Sequence, residues 1–343
     1  MLTLSRLAAS AWRRWFLDRQ AEFWLAELGS AWSPTELRAR VVEVIEETVD
    51  TRSFVLAPNR HWPGHRAGQY VPIEVELDGA RVRRCYSISS GSSRPNTRHI
   101  TITVKRVPGG RVSNHLHDHV RAGAILALGL PAGDFVVDQP APLLLVAGGS
   151  GITPVIAILR DLEARDALGG VVVVHVARDD DGAIFDRELA TLAMQHPRVR
   201  LVAYRTALFG RLDAQRFAAL VPDLATRSIY ACGPPGLIDL VVATNQPVRV
   251  ERFVPPPIPR STRATVDLRG RTLTLDGAGS LLDQLERAGE RMPSGCRMGI
   301  CHTCRCRKRS GIVENVLTGA ISSAPDEDIQ PCISIPHSDL ELV

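Results

Sequence analysis

What this 343-residue sequence lacks is an unbroken apolar stretch of the ~18 residues that a bilayer-spanning helix requires: the longest uncharged run, Gln139 to Leu159, is interrupted by three prolines and three glycines, so no transmembrane helix is expected. A secretory leader is not expected either, because Arg6, Arg13 and Arg14 interrupt every candidate apolar core near the N-terminus. Neither sign of charge prevails: 41 basic against 37 acidic side chains give no indication of a nucleic-acid partner. There is no internal repeat and no low-complexity tract. Aromatic residues are scarce at 5%, yet four of the five tryptophans (Trp12, Trp15, Trp24, Trp32) fall before residue 33. Seven cysteines, an odd number, argue against a framework made purely of disulfides. From these absences we expect a cytoplasmic globular chain with room for two or three domains.

The cysteines that are present crowd one end. Cys85 and Cys232 stand alone, whereas Cys296, Cys301, Cys304, Cys306 and Cys332 fall in the last fifty residues. Clustered thiols in a reducing compartment read as metal ligands. From Leu37 to Leu128, short β-branched runs separated by turn residues suggest a small antiparallel barrel, with one helical stretch near His115. From Pro142 onward, apolar runs alternate with helical patterns, the signature of a parallel, doubly wound sheet. Pro255, Pro256, Pro257 and Pro259 make a stiff linker, and a hairpin pattern around Arg269–Gly270 opens the last segment. We place an aromatic helical segment at 1–34, a barrel at 35–137, an α/β domain at 138–254, the linker at 255–262 and a final domain at 263–343.

Cys296, Cys301 and Cys304 are spaced C-x4-C-x2-C, with Cys332 further on. Four soft thiolates, two per iron, are what a [2Fe–2S] rhomb needs, and this is the plant-type spacing. A structural zinc site would normally show a second tight pair, which is missing. His302 adjoins Cys301 without Rieske spacing, and Cys306 reads as a small buried residue rather than a fifth ligand. Arg297, Arg305, Arg307, Lys308 and Arg309 form a basic stretch, either a solvated loop or a landing patch for an acidic acceptor or an anionic membrane surface.

Arg84, Tyr86 and Ser87 form an R-x-Y-S tetrad at a strand end, which suits a flavin: guanidinium to phosphate, phenol on the ring, hydroxyl near N5. Gly110, Val112 and Ser113 follow as a glycine-led helix start able to hold a pyrophosphate. Gly148, Gly149, Gly151, Thr153 and Pro154 follow an apolar strand and let a dinucleotide approach, with Thr153 expected as N-cap and Pro154 as first helical residue. Cys232, Gly233 and Pro234 repeat that arrangement at a later strand end, placing a thiol where it can touch a nicotinamide. Arg178 could bind a 2′-phosphate and select NADPH over NADH, although Asp179 to Asp181 argue the other way. His115, His117 and His119 lack partners at ligand spacing.

Together these motifs resemble the ferredoxin–NADP reductase superfamily, in the subgroup with a C-terminal plant-type [2Fe–2S] domain. The resemblance covers roughly residues 36 to 343. It implies an antiparallel β-barrel flavin domain, an α/β parallel-sheet nucleotide domain and an α+β (β-grasp) ferredoxin domain, with FAD rather than FMN. It implies Ser87, Cys232 and Glu251 at the hydride-transfer centre, Glu251 lying in an E-x-F segment that ends at Phe253. It also implies electron transfer from NAD(P)H through FAD and the cluster to an acceptor protein. The stretch Phe23 to Trp32 and the following RARVVEVIEET are similar to bacterial reductases serving membrane-bound di-iron acyl-CoA Δ9-desaturases, which implies such a partner and peripheral membrane association. A soluble Rieske or di-iron oxygenase is the alternative acceptor.

Overall fold

The structure, a computed structural model, describes residues 31–343 apart from 78, 93–98, 139–141, 254–257 and 300–301. The expected aromatic helix before Ala31, Pro255 to Pro257 of the proline linker and Cys301 lie outside the described residues.

Six antiparallel strands come first: β1 (Arg38–Thr48), β2 (Thr51–Pro58), β3 (Tyr70–Leu77), β4 (Ala80–Ser87), β5 (Ile100–Lys105) and β6 (Ile125–Leu128). They pair in the order β4-β3-β6-β1-β2-β5. A bridge between Ile88 and Ile102 joins the end of β4 to β5, so the sheet curls into a barrel with no long free edge. Alternation drives this: Phe54 and Leu56 on β2, Val71 and Ile73 on β3, and Ile100, Ile102 and Val104 on β5 all point into one core. Helix α1 (Arg111–His119) closes one end through Val112 and Leu116. His117 turns into the barrel and hydrogen-bonds the Val104 carbonyl oxygen at 2.8 Å, away from His115 and His119.

The second unit begins with β7 (Leu143–Gly148), whose six residues are all buried, as a central parallel strand covered on both faces must be. Helix α2 (Ile152–Ala164), β8 (Val171–Ala177), α3 (Asp186–Gln195), β9 (Val199–Arg205), α4 (Thr206–Phe209), α5 (Ala214–Leu220), β10 (Ser228–Cys232), α6 (Pro235–Val242) and β11 (Val248–Glu251) complete it. All strands are parallel, in the order β11-β10-β7-β8-β9. The chain leaves β7 toward β8 and later returns to β10 on its other flank. The carboxyl ends of β7 and β10 therefore form a topological switch point, where an open α/β sheet leaves a crevice for a ligand.

The third unit pairs β12 (Ala264–Leu268) with β13 (Arg271–Leu275) across a two-residue turn, Arg269 and Gly270, both at positive φ as such a hairpin requires. Helix α7 (Leu281–Arg287) follows, started by a capping box between Ser280 and Asp283. Then come β14 (Cys306–Ser310), β15 (Val313–Asn315), β16 (Ile321–Ser322), β17 (Glu327–Ile329), β18 (Ser334–Pro336) and β19 (Leu340–Leu342). The main sheet runs β13-β12-β19-β14-β17, with β12 parallel to β19 and the rest antiparallel, which is the β-grasp plan. No described helix is long and apolar enough to cross a membrane.

Candidate functional site

Strand β4 ends on Ser87, and β10 and β11 end side by side on Cys232 and Glu251, which are register partners. Ser87 is 4% exposed and Cys232 fully buried. Glu251 is only partly covered as a residue, yet its Oε2 has no solvent contact. Ser87 Oγ and Glu251 Oε2 are both buried without a hydrogen-bond partner among the described residues. Burial raises the Glu251 carboxyl to about 8, the Ser87 hydroxyl beside it pulling the other way, so the group is protonated at neutral pH. Burial, with Glu251 next to it, also pushes the Cys232 thiol up. Three groups expected together from the sequence thus converge from two separate units. Unpartnered donors and acceptors of this kind are rare in a folded interior and mark a place that a polar ligand completes.

Two neighbouring elements extend that place. Tyr86 is partly covered, and burial pushes its phenol up, so it stays neutral. The Arg84 Nη1 donates to the Arg83 and Gly295 carbonyl oxygens, both at 2.8 Å. Its Nε and Nη2 edge, the one that grips a phosphate in a bidentate fork, makes no hydrogen bond among the described residues. Gly110 is the N-cap of α1 and Val112 and Ser113 are buried in its first turn. A Cβ on Gly110 would stand 2.5 Å from Ser113 Oγ, so the turn is built around the missing side chain. The donor set fits a flavin dinucleotide: a free guanidinium edge, helix amides and an unpartnered hydroxyl.

The crevice at the ends of β7 and β10 is equally tight. Gly148 ends β7, and Gly149 to Gly151 make a single 3-10 turn running straight into α2. Contrary to expectation, Thr153 is not the N-cap: Gly151 occupies that position, the helix opens on Ile152 and Pro154 is its third residue. The 3-10 turn winds directly into the helix, and the Thr153 hydroxyl bonds back to the Ser150 carbonyl oxygen at 2.9 Å. A Cβ on Gly151 would lie 2.2 Å from Cys232 O and 2.7 Å from Gly233 N. A Cβ on Gly148 would lie 2.7 Å from Pro234 Cδ. The two glycine-bearing strand ends touch backbone to backbone, with no room for a side chain between them. Gly151→Ala should cost about 1–3 kcal/mol and raise KM for the nucleotide, because neither backbone can yield. Gly149→Ala, at φ +54° in open space, meets strain of only about 1 kcal/mol. Thermal melts and nucleotide kinetics of the two variants check this ranking.

Arg178 follows β8 with its side chain 87% exposed. Asp180 is drawn to Arg205 at 2.6 Å, and Asp179 caps the turn by accepting from Gly182 N at 2.9 Å. Asp180 is therefore engaged elsewhere, whereas Asp179 also stands 3.9 Å from the Arg178 guanidinium.

Across Arg84 lies the cysteine cluster. Cys296, Cys304 and Cys332 are 5%, 3% and 3% exposed, and Cys304 Sγ lies 3.2 Å from Cys332 Sγ. The Met298 amide points at Cys296 Sγ from 3.4 Å, and the Gly299 amide bonds Cys332. The Cys304 contact and burial push the Cys332 thiol upward. Packed sulfurs met by backbone amides cannot all ionise unaided, and a metal centre removes that conflict, so the donor set fits an iron–sulfur cluster. Sequence reasoning missed Gln330, whose amide holds the loop by donating to Gly299 O at 2.7 Å and to His302 Nδ1 at 3.1 Å. Nothing in its residue type signals that task. Cys306 belongs instead to the hydrophobic core with Val266 and Leu275, and burial raises it to about 12.

The basic stretch is not a bare landing patch. Arg297 pairs with Asp283 and Glu286, Arg305 and Arg307 meet Asp328, and Arg309 meets Glu341. Lys308 is wholly buried, donating to the Gly311 and Ala324 carbonyl oxygens. These acids come from α7, β17 and β19, too distant in sequence to be read beside the cations.

Comparison with known proteins agrees with this geometry. Residues 38–137 match an oxidoreductase FAD-binding domain, residues 145–243 an oxidoreductase NAD-binding domain, and residues 264–336 a 2Fe-2S iron-sulfur cluster binding domain. An NADPH oxidoreductase of Mycobacterium tuberculosis is 37% identical over 324 residues, covering 91% of this chain and 85% of the relative. A glycine betaine monooxygenase reductase subunit of Pseudomonas aeruginosa is 31% identical, covering 91% and 96%. Among solved structures, phthalate dioxygenase reductase, described as passing electrons from pyridine nucleotides to [2Fe-2S], superposes with TM-score 0.63 at 27% identity, covering 90% of this chain and 97% of that one.

Proposed function

Because this chain belongs to the ferredoxin-reductase-like flavoproteins that carry a C-terminal 2Fe-2S domain, we propose that it draws electrons from NADPH and delivers them one at a time to an oxygen-activating iron protein. NAD(P)H-dependent electron transfer through FAD and a [2Fe–2S] cluster is the family's chemistry. FAD, when bound, supplies the exchange between a two-electron hydride and single electrons, which a cluster alone cannot provide. The observation that carries the reading is the unpartnered Ser87 hydroxyl and protonated Glu251 beside the buried Cys232, with packed cysteines on the far side of Arg84.

In this reading Arg84 and Gly110 hold the flavin phosphates, Tyr86 covers the ring, and Ser87 offers a hydrogen bond at the reacting edge. Cys232 fills the space against the nicotinamide and, with Gly148, Gly149, Gly151, Gly233 and Pro234, keeps water out. Thr153 and Pro154 fix the start of α2 behind that turn. Cys296, Cys301, Cys304 and Cys332 hold the cluster.

NADPH rather than NADH is the proposed donor, since Arg178 is exposed and Asp180 is drawn away to Arg205. Arg178→Gln should narrow the ratio of kcat/KM for NADPH over NADH by about ten- to a hundredfold, the worth of a charge-assisted phosphate contact. An unchanged ratio would remove Arg178 from nucleotide selection.

The proposed acceptor is a membrane-bound di-iron acyl-CoA desaturase, approached from the cytoplasmic side. The aromatic stretch from Phe23 to Trp32 supports it. A soluble Rieske or di-iron oxygenase is the second reading, favoured by the monooxygenase and dioxygenase reductases among the relatives. Full-length protein and NADPH, mixed with desaturase-bearing membranes or with a soluble oxygenase component, separate the two. Acyl-CoA-dependent oxygen uptake with the membranes supports the first, and coupling to the oxygenase alone overturns it.

A further inference from the structure

We propose that Arg84 is also a positioning residue for the cysteine loop, holding the ferredoxin domain against the flavin barrel through the Gly295 carbonyl. The two residues are 211 positions apart, and their 2.8 Å hydrogen bond crosses from β4 to the residue immediately before Cys296. Gly295 and Cys296 are both buried, so the contact is sheltered from competing water. The same Nη1 also donates to the Arg83 carbonyl oxygen, which fixes the guanidinium plane on its own strand.

The electrostatics agree with that geometry. Arg84 has no carboxylate partner among the described residues, whereas Arg297, two residues beyond Gly295, is neutralised by Asp283 and Glu286. Arg297 stands close enough to oppose Arg84, and Cys296 close enough to favour it. An unneutralised cation thus faces the first cysteine of the loop from across a domain boundary. A planar guanidinium can serve two clients at once: Nη1 is spent on carbonyls, while Nε and Nη2 point elsewhere. Under the flavin reading, on which only this last step rests, one side chain bridges a flavin phosphate and the loop where electrons leave. Flavin occupancy and loop placement are then thermodynamically linked, each favouring the other.

Hydrogen exchange of the full-length, cluster-loaded protein, freed of FAD, isolates the positioning role from the flavin role. Arg84→Ala should speed exchange of the 293–299 peptide about tenfold, the factor expected when one charge-assisted hydrogen bond is lost from a local opening equilibrium. Wild-type exchange in that peptide overturns the proposal. So does a rise there that merely keeps step with the barrel's own peptides, since Arg84 would then be holding only the barrel. Should Arg84→Ala not accumulate folded, Arg84→Lys is read by the same criterion, because the lysine ammonium ends one bond short of the Nη1 that bonds both carbonyls. A variant that loses FAD but keeps wild-type exchange of the loop refutes the positioning role and leaves the flavin reading standing. One that retains FAD but frees the loop does the reverse.

Discussion

Cys332→Ser should abolish the reduced-cluster EPR signal and cut NADPH-driven reduction of cytochrome c, used as a one-electron probe, by more than about a hundredfold. Ferricyanide, which can take electrons directly at the flavin, should still be reduced. The reason is local. Cys304 and Cys332 are packed at 3.2 Å with almost no solvent, and the Gly299 amide is aimed at the Cys332 sulfur. Serine is a harder donor with a shorter reach, so the fourth corner of a soft-ligand site is lost. Cys306→Ser is the control. That thiol sits in the apolar core, so its replacement should lower the melting temperature and leave the EPR signal in place. An EPR signal that survives Cys332→Ser but vanishes with Cys306→Ser would exchange the two assignments.

Ser87→Ala should slow anaerobic reduction of the flavin by NADPH about a hundredfold, the usual consequence of deleting one oriented donor at a reacting centre. The hydroxyl is buried and makes no close hydrogen bond among the described residues, and beyond its pull on the Glu251 carboxyl, alanine loses little from the protein alone. Glu251 supplies the matching pH signature. Its carboxyl titrates near 8 in the folded chain against 4.5 in the free side chain. Its contribution to stability is therefore fully present below pH 4.5 and fades as the pH climbs through about 8, because the folded state must then bury a charge. The slope reaches at most about 1.4 kcal/mol per pH unit. Glu251→Gln should flatten it. Urea denaturation across that interval checks the sign, and a wild-type stability that rises toward pH 8 through this residue would contradict the burial.

Much of this was legible because it is local. The unbroken apolar run of β7, the alternation of β2 and β5 and the Arg269–Gly270 turn each announce themselves within a few residues. The spacing from Cys296 to Cys304 and the tetrad ending at Ser87 are equally local. What stayed hidden depends on the approach of distant segments. The ion pairs that silence the basic stretch come from Asp283, Glu286, Asp328 and Glu341, and the Arg84 contact with Gly295 joins two domains. The start of α2 was misplaced by two residues because Thr153 and Pro154 are good helix openers, and a preceding 3-10 turn leaves no trace in residue type.

Anaerobic titration with NADPH, followed by visible absorbance and EPR, puts the central assignment to the test. Full reduction should consume about one and a half equivalents per chain, two electrons resting on the flavin and one on the cluster, with a paramagnetic signal growing as the visible bands bleach. Saturation at about one equivalent with no EPR signal, from protein carrying its full iron, would mean that hydride enters but no single electron reaches the cysteine loop.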